Sequence, residues 1–93
     1  MLSIGEIQER LGKLKGWAID GSDKIVKDFE FPDFKSSMSF VNDVANIAED
    51  QSHHPSILVD SNFVRLSLTT HSEHGLSDKD FLLAEAVDKL EVI

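Results

Sequence analysis

Apolar residues at Ile4, Ile7, Leu11 and Leu14 recur at helical intervals, and Ser3-x-x-Glu6 ahead of them has the spacing of a capping box. This predicts a first helix from about Ile4 to Lys13, ending toward Gly16. The period then changes to two. Gly16 to Ser22 reads as a short strand running into an Asp-Gly turn. In the next run Ile25, Lys27, Phe29 and Phe31 face one way, and Val26, Asp28 and Glu30 face the other. Pro32-Asp33 breaks the strand and opens a helix to about Gln51. Its apolar positions Phe34, Met38, Val41, Ala45 and Ala48 form one stripe, and Phe40, Val44 and Ile47 form a second beside it. A helix apolar over that much of its girth predicts a sheet on one side and another cover, such as a subunit contact, on the other. Phe29, Phe31 and Phe34 are predicted core.

Ile57-Leu58-Val59 predicts another short strand, Asp60-Ser61-Asn62 its turn, and Phe63 to Thr70 a strand with Val64, Leu66 and Leu68 inward. If that strand continues, His71 shares the face of Ser67 and Thr69. Gly75 suits a turn. Ser77-x-x-Asp80 resembles a second capping signal, opening a last helix with Phe81, Leu83, Ala84, Ala86, Val87 and Leu90 inward. The order α-β-β-α-β-β-α points to an α+β fold, a four-stranded antiparallel sheet with three helices packed on one face.

Composition narrows the function classes. Ninety-three residues are read as one domain over 1–93, with 41% hydrophobic and 28% charged residues. No cysteine is present, which excludes disulfides and thiolate metal sites. A net charge of −8 argues against direct contact with nucleic acid or an anionic membrane. No basic region followed by an apolar run opens the sequence and no run is long enough to span a bilayer, so a cytoplasmic protein is expected.

Chemistry gathers at Glu49-Asp50-Gln51-Ser52-His53-His54-Pro55, which holds two of the four histidines. Pro55 biases His54 away from helical geometry, so the incoming helix should end at the pair. Imidazoles titrate near neutrality and suit proton transfer. Neighbouring side chains diverge and no metal motif is present, so no metal is expected. The serines lack a nucleophile-elbow context, and no Gly-rich phosphate loop exists. Acid–base work by histidine is the enzymatic reading that survives.

Glu49-x-x-x-His53-His54-Pro55, Thr69-Thr70-His71 and Gly75-Leu76-Ser77-x-x-Asp80, with Gly16-Trp17 and Phe29-Glu30-Phe31-Pro32-Asp33-Phe34 upstream, resemble the pterin-4a-carbinolamine dehydratase family over nearly the whole chain. The resemblance implies dehydration of 4a-hydroxytetrahydrobiopterin to quinonoid dihydropterin, which recycles tetrahydrobiopterin without metal or other cofactor. It implies catalytic roles for His53, His54 and His71, supporting roles for Glu49 and Asp80, and substrate contacts from Trp17, Ser52, Thr69, Thr70 and Ser72. Glu49 would orient an imidazole and Asp80 would pair with His71. It further implies a homodimer or homotetramer and allows a second role, as a dimerisation partner and coactivator of a homeodomain transcription factor, with a nuclear location in that case. Such a role would rest on the stripe of Phe40, Val44 and Ile47. The chain departs from the family pattern at Ser52, at Ile57 and Ser61, where many relatives carry an aromatic, and in the loop Ser72-Glu73-His74.

Overall fold

A computed structural model describes residues 1–90. Its elements are α1 (Ile4–Leu11), β1 (Ala18–Asp20), β2 (Lys24–Glu30), α2 (Phe34–Gln51), β3 (Ser56–Asp60), β4 (Phe63–Leu68), a 3-10 turn (His71–Glu73) and α3 (Asp78–Asp88). All strand pairs are antiparallel and the sheet order is β1-β2-β4-β3, with all three helices on one face. This is the predicted architecture.

Register explains which face is buried. Phe29, Val64 and Val59 stand side by side across three strands, as do Lys27, Leu66 and Ile57. These rows meet Ile7 of α1, Phe40 and Val44 of α2, and Phe81, Leu83, Ala84 and Val87 of α3 in one core. The opposite face carries the row Leu58, Arg65 and Asp28, where the Arg65 guanidinium makes two bonds to the Asp28 carboxylate. That pairing holds the Asp28 carboxyl below its ordinary range.

Each helix begins where a short polar side chain can take up free amide groups. Ser3 and Glu6 form the expected capping box on α1, and Asp33 accepts from the Ser36 amide to start α2. α1 stops at Leu11 with Gly12 as its cap, short of Lys13, and Ile4 lies exposed instead of facing the core.

The largest correction concerns α2. The stripe facing the sheet is Ser37, Phe40, Val44 and Ala48. Phe40 packs its ring 4.6 Å from Phe29 and 5.1 Å from Phe31. Phe34, predicted core, is 55% exposed at the first turn, and Ala45 faces out as well. The two stripes adjoin on a helical wheel, so spacing gives their separation without saying which one the sheet takes. Phe40 and Val44 are therefore unavailable as a docking surface; the outward residues of the other stripe are Phe34 and Ala45, with Met38 half-buried between them.

Candidate active site

α2 ends in a Schellman motif. Ser52 adopts left-handed geometry (φ 51°), its amide donates to the Glu49 carbonyl at 3.2 Å, and the His53 amide reaches back to the Ala48 carbonyl at 3.0 Å. The chain reverses at that point and the two imidazoles part company. His53 turns inward with its side chain 11% exposed, while His54 stays 65% exposed.

His53 meets a buried acid. Asp80, 0% exposed, sits in the first turn of α3, and its Oδ1 lies 2.6 Å from His53 Nε2. Its Oδ2 accepts from the Thr70 hydroxyl at 2.8 Å and from the Ser77 amide at 3.0 Å. The Thr70 and Ser77 hydroxyls lie 2.7 Å apart. A carboxylate withdrawn from water is costly unless donors replace the lost hydration, and here three groups converge on it.

The same network reaches Thr70, the residue that leads into the turn bearing His71. β4 ends at Leu68, two residues before Thr70, which forms an isolated antiparallel bridge with Gly75. The segment between is pinched into the 3-10 turn His71–Glu73, closed by His74 in left-handed geometry (φ 55°). His71 thus stands exposed on a turn whose first anchor, Thr70, is bonded to the partner of His53. The N-terminal ammonium of Met1 bonds Glu73 Oε1 at 2.6 Å, which lowers the Glu73 carboxyl, and the Leu2 amide bonds the Leu76 carbonyl at 2.8 Å.

Several expectations change. Asp80 bonds His53, not His71, because β4 ends too early to carry His71 along its face and the turn lifts it to the rim. The imidazole that Glu49 meets is His54, whose Nε2 lies 3.1 Å away; both partners are exposed, and such pairs contribute little. Thr70 is buried, its hydroxyl engaged by Asp80 and Ser77 and its backbone by Gly75 and Glu73. Trp17 belongs to the core, its Nε1 donating to both Asp88 oxygens at 3.0 and 3.1 Å; Lys27 Nζ joins Asp88 at 3.0 Å. Thr69 donates its hydroxyl to the Asp23 carbonyl, Ser52 serves as the exposed left-handed cap residue, and Ser72 lies exposed within the turn. Ser77 fills the capping role that its spacing to Asp80 indicates. Its second bond, to Thr70, follows from folding.

Among the described residues no three His, Asp or Glu side chains converge as metal ligands. A groove of about 540 Å³ between α1 and α3, lined by Arg10, Leu14, Phe81 and Leu82 among others, contains no histidine. The His53–Asp80 pair lies instead at the end of α2, and the candidate site is taken there.

The end of α2 therefore carries an inward imidazole held by a buried carboxylate, with a second imidazole on a neighbouring anchored turn. The family model described as pterin 4 alpha carbinolamine dehydratase matches residues 1–90, and the chain belongs to that family. A protein of Roseiflexus sp. (strain RS-1), provisionally described as a pterin-4-alpha-carbinolamine dehydratase, is 48% identical over 96% of this chain and 95% of its own. One from Sulfolobus acidocaldarius with the same provisional description is 41% identical over 97% and 98%. The crystal structure of a transcriptional coactivator/pterin dehydratase from Brucella melitensis superposes with a TM-score of 0.89 at 35% identity, covering 94% of each chain. A pterin dehydratase-like protein identified as a RuBisCO assembly factor shares the fold at 21% identity, with a TM-score of 0.67 over 78% of this chain and 86% of that one.

Proposed function

We propose that this protein dehydrates 4a-hydroxytetrahydrobiopterin to quinonoid dihydropterin and so recycles tetrahydrobiopterin, with its histidines as general acid and base. The observation that carries this reading is the His53–Asp80 pair, joined through Thr70 to the turn bearing His71, in a chain of this family. The reaction balances without oxidant or reductant. A proton passes to the C4a hydroxyl oxygen, the C4a–O bond breaks and water leaves, a base removes the N5 hydrogen, and C4a=N5 becomes a double bond. One proton is given and one taken, so two imidazoles suffice, each contributing about 10²–10⁴-fold. His53 and His71 are assigned to proton transfer and the exposed His54 to the rim of the same site. The protein is expected to work in the cytoplasm as a homodimer or homotetramer, with no bound cofactor.

The test adds purified protein to a hydroxylase that generates 4a-hydroxytetrahydrobiopterin in situ. Decay of the intermediate should accelerate, and His53→Ala and His71→Ala should each slow it by roughly tenfold or more while the circular dichroism spectrum is kept. Decay no faster than in buffer alone ends the reading.

A second reading, a docking module on the same fold, is favoured by the coactivator description of the Brucella protein. With Phe40 and Val44 inside, the surface available for it on α2 is the stripe of Phe34, Met38 and Ala45. Loss of a transcription-factor partner on Phe34→Glu, with dehydration unchanged, would support it.

A further inference from the structure

Resting on that dehydratase reading, we infer that Asp80 fixes the ring tautomer of His53 so that Nδ1 is the nitrogen presented to the pterin, with Thr70 and Ser77 as the positioning residues that make the choice one-way. The inference follows from proton directions. Asp80 as a carboxylate only accepts. The Thr70 hydroxyl proton therefore goes to Oδ2 across 2.8 Å. With that proton committed, the 2.7 Å contact between the Thr70 and Ser77 hydroxyls has a single solution, Ser77 donating to Thr70. The Ser77 oxygen is in turn free to accept from the Lys79 amide at 3.3 Å. The chain runs Lys79 N–H, Ser77 O–H, Thr70 O–H, Asp80 Oδ2, each donor pointing the same way.

The other carboxylate oxygen, Oδ1, faces His53 Nε2 at 2.6 Å, and this contact also has one solution, an Nε2–H donating to it. The neutral ring then carries its lone pair on Nδ1. The capping box explains why the acid cannot turn away. One oxygen is bound to the Ser77 amide at the start of α3 at 3.0 Å, so rotation of the carboxylate would uncap the helix. In an ordinary box the acid reaches back from an exposed surface. Here it is wholly buried and its second oxygen is spent on an imidazole.

The amide variant Asp80→Asn provides the sharpest test. Thr70 O–H and Ser77 N–H both require an acceptor, so the Asn carbonyl must occupy the Oδ2 position and its NH₂ must face His53. Nε2 is then forced to accept and the hydrogen moves to Nδ1. In serine hydrolases the same exchange of carboxylate for amide behind a histidine costs about 10⁴ in kcat through the wrong tautomer.

Long-range ¹H–¹⁵N spectra of ¹⁵N-histidine protein read the tautomer directly, because Nε2 couples to both ring carbon-bound protons and Nδ1 to one. The expected result is Nε2–H for neutral His53 in the wild type and Nδ1–H in Asp80→Asn, with the dehydration rate falling about a hundredfold or more. On titration with 7,8-dihydrobiopterin, the wild-type Nδ1 resonance should move while Nε2–H persists. Nδ1–H in the wild type overturns the inference even if the amide variant fails to fold. So does a flipped tautomer with a rate within about threefold of wild type. If the wild type binds dihydrobiopterin at Nδ1 yet does not accelerate dehydration, the dehydratase reading fails and the tautomer assignment stands; if dehydration proceeds with Nδ1 undisturbed, the reverse holds.

Discussion

Ser52 is a polar residue doing a glycine's work. Left-handed backbone costs an L-residue roughly 1–2 kcal/mol, and the C-cap of α2 demands it. Ser52→Gly is therefore expected to stabilise the fold by about 1 kcal/mol, read as a higher urea midpoint at constant slope. Because the Schellman bonds run through backbone amides, His53 should stay on Asp80 and the dehydration rate should hold. The histidine pair itself was legible from His53-His54-Pro55, since proline disfavours helical geometry in the residue before it. Which ring turned inward was not. Neighbouring side chains diverge in any backbone, and the choice was made by a carboxyl twenty-seven residues further on.

Among the elements, α2 departs most from its sequence pattern. Two apolar stripes on one helix are equivalent until something packs against one of them, and the rings of Phe29 and Phe31 select Phe40. Phe40→Ala should cost about 3–5 kcal/mol, a large share of the 5–15 kcal/mol typical of a whole domain, and should show as a lowered melting temperature. Phe34→Ala, by contrast, removes no core contact within the protomer and should cost far less. β4 offers a second lesson. Alternation continued to Thr70 on paper, yet pairing with β2 and β3 ends by Leu68, since β3 begins at Ser56 opposite Ser67 and the β2 ladder ends at Ile25 opposite Leu68. Periodicity records which residues could form a strand; the partners available decide how far one extends. The capping motifs of α1 and α3, by contrast, are satisfied by residues three positions apart and were readable in full.

At the scale of the molecule, element order and the two hairpins were legible because antiparallel neighbours need only short turns, whereas the β2–β4 pairing that joins the hairpins spans α2 and was not. Long-range polar contacts were hidden as well: Trp17 with Asp88, and Asp80 with His53. Each joins groups with several alternative partners in an unfolded chain. The surface retains the apolar side chains Phe34, Leu58 and Leu82, all more than half exposed. Solitary exposed apolar residues are ordinary, but Phe34 continues along α2 into Met38 and Ala45, and a strip of this kind commonly marks a contact between copies. Light scattering after size exclusion should therefore give a dimer or tetramer mass, and Phe34→Glu with Ala45→Glu should reduce it. A monomeric mass for the unaltered protein would remove the homo-oligomer from the proposal.

The first turn of α3 hands a single carboxyl two employers, a helix that needs it to begin and an imidazole that needs it to be held. A lineage that abandoned the chemistry would take one donor from a buried carboxylate by discarding His53, whereas parting with Asp80 would unseat the helix as well. Descendants that have forgotten the reaction should accordingly keep the acid long after its histidine is gone, and an orphaned aspartate at this place would be the fossil of a lost enzyme.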